Sequence, residues 1–282
     1  MVERRGWSTV FAHGALLIGV AILAFPVYLC FVGSSYPQNV IANGQMPLWP
    51  GPLLLETYWK ALTIGAGNMG GEPVRTMLLN SMIMATIIAV GKIAISIPSA
   101  YAVVYFKFPF RQTAFWLIFI TLMLPVEVRI FPTYKIAADL DLLDSYAGLT
   151  LPLIASATAT LFFRQFYLTI PDELIEAAKL DNAGPLRFLW DTALPLSRTN
   201  IAALFVILFI YGWNQYLWPL LITTRSDMQT IVIGIKKMVV ISDALTEWNV
   251  VMATAMLAML PPVIVVITMQ RWFVRGLIEA EK

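Results

Sequence analysis

The sequence predicts an all-α, polytopic membrane protein: one transmembrane domain over residues 1–282, with six transmembrane helices and a cytoplasmic helical loop. Three observations carry that prediction. The 282 residues are 59% hydrophobic and only 13% charged, with a mean hydropathy of +0.75, where a soluble domain carries about 25% charged residues. Six apolar runs, at 11–32, 76–106, 113–132, 146–166, 201–222 and 250–274, approach or exceed the roughly 20 residues that cross the hydrocarbon core as a helix. Between the fourth and fifth runs lies the longest polar-patterned stretch, PDELIEAAKLDNAGPLRFLWDTALP at 171–195.

The first run is too long for a cleaved leader and no small-x-small site follows it. Tyr28 and Leu29, just before Cys30, do not form a lipobox. After it comes a Gly-, Pro- and Asn-rich segment, 33–75, with a surface helix expected at 53–62. The second run contains Asn80, Ser81 and Lys92, and the third Glu127 and Arg129. Ionisable and polar groups inside spans are costly to leave in lipid, so they are the default functional candidates. Glu127 and Arg129, two residues apart, point to different helix faces, and a structural ion pair at the helix end is the competing reading. Ser156, Thr158 and Thr160 in the fourth run suit close helix packing. The fifth run reads Trp-Asn-Gln-Tyr-Leu-Trp-Pro at 213–219. Asn214 and Gln215 offer amide donors and acceptors to a hydroxyl-bearing ligand, although an interfacial aromatic belt has the same composition. Segment 223–249 has a helical middle at 231–240 and ends on Thr246, Glu247 and Trp248, just before the last run.

Lysine and arginine set the orientation. With the N-terminus inside, the inward segments and span ends hold eleven of the 19 cationic residues, the outward ones seven, and Lys92 is left within the second span. Both termini and the 169–196 loop are thereby placed in the cytoplasm. Within that loop, Thr169 has N-cap spacing for a helix opened by Pro171, Asp172 and Glu173. Asp-Asn-Ala-Gly-Pro at 181–185 is turn chemistry, with Asn182 and Gly184 able to take φ > 0 and Pro185 opening a second helix. That second helix carries Leu186, Leu189, Trp190, Ala193 and Leu194 on one stripe.

Several function classes fall away. A net charge of +2 is too small to argue for nucleic acid. One cysteine, Cys30, and one histidine, His13, exclude a disulfide framework and a Cys/His metal site. Residues 65–71 are Gly-rich but lack the lysine of a G-x-x-x-x-G-K-[ST] loop. No row of acids threads the spans as a proton relay. A membrane-embedded enzyme would need converging acids, a nucleophile with its base, or metal ligands. If the chain transports, its energy comes from another subunit.

Glu176-Ala177-Ala178, followed by the bend at Asp181 and closing on Leu194-Pro195, resembles the EAA loop of bacterial ABC importer permeases. The six spans, with the loop between the fourth and fifth, are similar to the carbohydrate-uptake (maltose-type) branch of that family. The strings LPVEVRIFPTYKI, DSYAGLTLPLIASATATLFFRQF, FIYGWNQYLWPLLIT and MQRWFVRGLIEAEK most resemble those permeases that serve sn-glycerol 3-phosphate uptake. The resemblance implies an inner-membrane subunit with no cofactor of its own. ATP and Mg would sit on a partner ABC ATPase homodimer, beside a second, homologous permease and a periplasmic substrate-binding protein. It implies alternating access driven through the loop, with Glu176 supplying a charge-assisted contact to the ATPase and Ala177 and Ala178 allowing close approach. Asp181, Asn182 and Gly184 would form the joint. The 246–248 triplet would face the binding protein, and Arg129, with Lys92 or Lys135, would meet an anionic cargo. The alternative cargo is a neutral sugar or a glycerophosphodiester. The family usually has Gly where this chain has Asn182, and Ile where it has Thr192. Asn tolerates φ > 0 next best after Gly, so the bend is expected to survive.

Overall fold

The computed structural model describes residues 7–67, 72–121, 124, 126–240 and 246–279, without the side chains of residues 7–8, 126–127, 240 and 271–279. All regular structure among them is helical: α1 Trp7–Gly33, α2 Gln38–Ala42, α3 Leu54–Thr63, α4 Val74–Tyr105, α5 Arg111–Ile120, α6 Val126–Asp139, α7 Tyr146–Thr150, α8 Ala157–Tyr167, α9 Asp172–Leu180, α10 Pro185–Phe188, α11 Leu194–Leu196, α12 Arg198–Trp213, α13 Leu217–Ile222, α14 Ile231–Val240 and α15 Trp248–Glu279. Helices satisfy their own backbone groups, as an apolar chain in lipid requires.

Among the described residues three helices are long and apolar enough to cross a membrane, or five if each of two bent pairs is one span. The first, second and sixth apolar runs become α1, α4 and α15. The expected single helix at 113–132 is instead two, α5 and α6, and α6 runs through Pro132 to Asp139. A proline removes one N–H without ending a helix that is otherwise supported. The fourth run bends by 47° between Tyr146–Leu153 and Ala157–Tyr167. Pro152 lies before that break, and Ser156 restarts the helix by accepting from the Ala159 N–H at 3.2 Å. In the fifth run α12 stops at Trp213, and Asn214 to Tyr216 form a break before α13.

The chain divides into two compact units, Met1–Thr76 with Gly234–Leu260 and Met77–Ile233 with Pro261–Lys282. In the first unit, the chain after α1 is pinned by bonds between side-chain hydroxyls and the backbone. Tyr28 Oη donates to Leu48 O at 2.5 Å, Tyr36 Oη donates to Trp49 O at 3.0 Å, and Ser35 Oγ accepts from the Gly51 N–H at 2.6 Å. The surface helix expected at 53–62 is α3. Only 6% of the apolar window of α1 is buried, against 44% for that of α4, so α1 has almost no intramolecular cover.

In the second unit, Met84 and Ile88 of α4 meet Ile130 and Ala137 of α6, Leu149 of α7 and Trp218 and Ile222 of α13. The Trp218 indole N–H is satisfied by Gly148 O at 3.0 Å. Close approach depends on small residues: a Cβ at Gly212 would lie 2.9 Å from Ala85 Cα, and one at Gly91 2.7 Å from Ile154 Cγ2. Ser96 on α4 donates to Ser156 O at 3.3 Å and accepts from Thr160 Oγ1 at 3.1 Å. Ser156 and Thr160 therefore tie helices together, as the packing reading expects.

Candidate functional site

The 169–196 loop folds as helix, bend and helix. Its first helix, α9, begins after Pro171 and has Asp172 and Glu173 in its first turn and Lys179 in its last, matching the helix dipole at both ends. Thr169 is not the N-cap: its hydroxyl donates back to Phe166 O at 2.7 Å, and the cap position is Pro171, which has no side-chain acceptor. At the other end the Asn182 N–H bonds Lys179 O at 3.0 Å and the Ala183 N–H bonds Ala178 O at 2.9 Å. With Asn182 at φ +53°, this is the Schellman arrangement, and Asn182 occupies the left-handed position usually filled by glycine. Gly184 does not share that role. Its φ is −67°, and it precedes Pro185, the first residue of α10.

The second helix is irregular. After α10 the backbone passes through a π-helical turn, Leu189–Ala193, before α11. An extra residue in the turn rotates the following positions, so the expected apolar stripe splits. Leu189 and Ala193 are buried, Leu194 is half-buried, and Leu186 and Trp190 are 69% and 65% exposed. None of the α9 residues is buried. Glu176, Ala177 and Asp181 face solvent, Ala178 is half-buried, and Pro195 lies half-buried in α11.

Aromatic residues from the Tyr105 end of α4 support the loop. Tyr101 Oη donates to Pro185 O at 2.7 Å and Tyr105 Oη to Tyr167 O at 3.1 Å, with Phe188 packed against both rings. A groove of about 250 Å³ runs between these rings and Ile175, Ala178 and Ala183. The sequence reading missed Tyr101 and Tyr105. Their spacing of four at a helix end was the available signal.

A second feature is a polar recess of about 100 Å³, lined by Lys92 of α4, Arg129 and Thr133 of α6, Tyr211 of α12, Gln215 in the α12–α13 break and Trp218 of α13, among others. Lys92 is only 7% exposed, and its ammonium sits 4.0 Å from the centre of the Tyr211 ring. Gln215 Nε2 donates to Tyr211 O at 3.2 Å. Of the residues singled out in the sequence, the structure brings Arg129, Gln215 and Lys92 together here, and adds Tyr211. Asn214 caps α12 and is exposed. The Glu127 side chain lies outside the described residues.

Asn80 and Ser81 are elsewhere and their groups are occupied. Asn80 Nδ2 donates to Asp227 O at 2.7 Å and Gln229 O at 3.0 Å, while its Oδ1 accepts from Tyr146 Oη at 2.6 Å. Ser81 Oγ accepts the Ile231 N–H at 2.8 Å, the first amide of α14. Both are buried clamps on the chain between α13 and α14. Asp144 holds the same segment by accepting from the Thr224 and Arg225 N–H groups at 2.6 and 2.9 Å and from the Thr224 hydroxyl. Burial works to raise the Asp144 pKa. The Arg225 N–H, the two Thr224 donors and the Arg225 charge outweigh it and hold the carboxyl below its ordinary value.

Of the 246–248 triplet, Glu247 pairs with Lys60 and accepts the Gly67 N–H at 3.1 Å. Burial again pushes upward and those partners win, leaving its pKa lowered. Thr246 is half-buried, its carbonyl accepting the Trp248 N–H at 2.8 Å, and Trp248 is 36% exposed.

Comparison with known proteins gives a consistent answer. The model of a family described as binding-protein-dependent transport system inner membrane component matches residues 92–279. Proteins named sn-glycerol-3-phosphate transport system permease protein UgpE, from Agrobacterium fabrum and Rhizobium meliloti, are each 60% identical over 282 residues, covering 100% of both chains. One of that name from Brucella melitensis is 58% identical over the same coverage. A solved bacterial ABC transporter involved in the import of the acidic polysaccharide alginate superposes with a TM-score of 0.79 at 20% identity, covering 97% of this chain and 99% of that one, which is a likeness of fold. The chain thus belongs to the family of inner-membrane components of binding-protein-dependent transport systems.

Proposed function

We propose that this chain is one permease subunit of an ATP-driven importer that moves sn-glycerol 3-phosphate across a bacterial inner membrane by alternating access. The cargo follows from relatives named for it that are 57–60% identical along the whole chain. The observation that carries the coupling role is the 169–196 loop, a defined helix–bend–helix that leaves Glu176, Ala177, Leu180 and Trp190 exposed. Apolar groups on a polar loop mark a partner surface.

In this reading the six spans are α1, α4, α5 with α6, α7 with α8, α12 with α13, and α15, with both termini and the loop in the cytoplasm. An ABC ATPase homodimer holding ATP and Mg docks on α9, with Glu176 as the charged contact and Ala177 and Ala178 as the close-approach face. Asp181, Asn182 and Gly184 set the angle to the second helix, whose Leu194 and Pro195 anchor it. Closure of the ATPase then pushes α9 against Tyr101 and Tyr105 and so moves α4. The bare apolar surface of α1 suits lipid and a second, homologous permease. Segments 33–75 and 223–249 face a periplasmic binding protein, with Thr246, Glu247 and Trp248 at the base of the second.

The test is reconstitution of the complex in liposomes with its binding protein, following ATP hydrolysis and uptake. Stimulation and uptake with sn-glycerol 3-phosphate are expected. A response to a neutral sugar or a glycerophosphodiester alone overturns the cargo, and no response to any substrate overturns the importer role.

A further inference from the structure

We propose that the recess between α4, α6 and the α12–α13 break is an anion station on the translocation path, where Lys92 and Arg129 together hold a phosphate monoester. This rests on the importer reading and adds to it the residues that meet the cargo.

Lys92 lies about 27 Å along α4 from Val74 and about 20 Å from Tyr105, at 1.5 Å per residue, near the middle of a long apolar helix. A buried ammonium there is costly unless paired. The recess offers no pairing: among the described side chains no Asp or Glu lines it, and its other cation is Arg129. The Tyr211 ring face steadies the ammonium without neutralising it. Buried Lys92 and exposed Arg129 therefore line one small cavity with no counter-charge among the described side chains, an arrangement that a bound anion would complete.

The geometry suits a phosphoryl group. Lys92 provides a compact point charge and Arg129 a planar fork for two oxygens. Gln215 uses an N–H on Tyr211 O, leaving its carbonyl oxygen for a hydroxyl of the same ligand. It sits in unwound backbone between α12 and α13, and helix breaks near mid-membrane are where transporters build such sites. Trp218, buried against Gly148 O, closes one wall.

The experiment uses the reconstituted complex and reads cargo imported per ATP hydrolysed with Lys92→Met, Lys92→Arg and Arg129→Gln. Losing one charged contact to the phosphoryl group is expected to lower that ratio about tenfold in Lys92→Met and Arg129→Gln, with Lys92→Arg retaining most of it. An unchanged ratio in both neutral variants, while wild type imports, overturns the station and leaves the importer reading standing. Equal failure of Lys92→Arg and Lys92→Met, with loss of complex assembly, makes Lys92 a packing residue and overturns it too. Absence of import by the wild-type complex overturns the importer reading itself.

Discussion

Two polar stretches between apolar helices behave in opposite ways. The 169–196 loop is locally well made, with a complete Schellman bend, yet it leaves Leu180 88%, Leu186 69% and Trp190 65% exposed. The 222–231 segment is held at nearly every step by its own chain. Asn80 binds two of its carbonyls, Ser81 binds the first amide of α14, and Asp144 binds two amides and a hydroxyl. In the second stretch those carbonyls, amides and hydroxyl are already paired within the chain. A stretch that is ordered but uncovered has its binding face ready. The contrast supports the 169–196 loop as the proposed docking surface, and the bonds of Asn80 and Ser81 make both part of the scaffold.

The largest effect that would break this comparison is at Glu176. Glu176→Lys should reduce uptake to background and release the ATPase subunit on co-purification, while the permease still inserts. Retained uptake would mean that the exposed loop is not the docking face.

Next is Asn80. Asn80→Leu strands two carbonyls and the Tyr146 hydroxyl and should cost about 1–3 kcal/mol, measured as lower thermal stability and faster amide exchange at 223–231. The ATPase should still co-purify, since the clamp belongs to the other stretch.

A smaller effect follows from pH. The Asp144 pKa is lowered in the folded chain, so its contribution is present above the ordinary aspartate value and is lost as pH falls through the lowered folded value. Protection of the Thr224 and Arg225 amides should hold from neutral pH to about 4 and decline below it. Asp144→Asn should remove that dependence.

The smallest effect is expected at the bend. Asn182→Gly should change stability by under about 0.5 kcal/mol, because Asn already tolerates φ > 0. Asn182→Val should cost about 1–2 kcal/mol and reduce uptake.

The loop was the most legible part of the chain. Its turn chemistry, its acidic first turn and its proline after the bend are local signals, and α9, Asn182 and Pro185 sit where those signals put them. The stripe over 186–194 misled because periodicity assumes 3.6 residues per turn, and a π turn intervenes. Thr169 misled because cap spacing cannot show whether the hydroxyl turns forward to an amide or back to a carbonyl.

By itself, the sequence determined the all-helical class, the apolar runs, the absence of a nucleotide-binding loop and the chemistry of the bend, because composition and near-neighbour pattern are sufficient for these. Tertiary structure alone decided where the third, fourth and fifth runs break, since hydropathy sums residues over a window and is blind to one or two unwound dihedrals. It also decided that Asn80 is satisfied from 147 and 149 residues away, and that Lys92, Arg129 and Gln215 share a recess. Those pairings join side chains far apart in sequence, and no local rule of helix or turn formation specifies them.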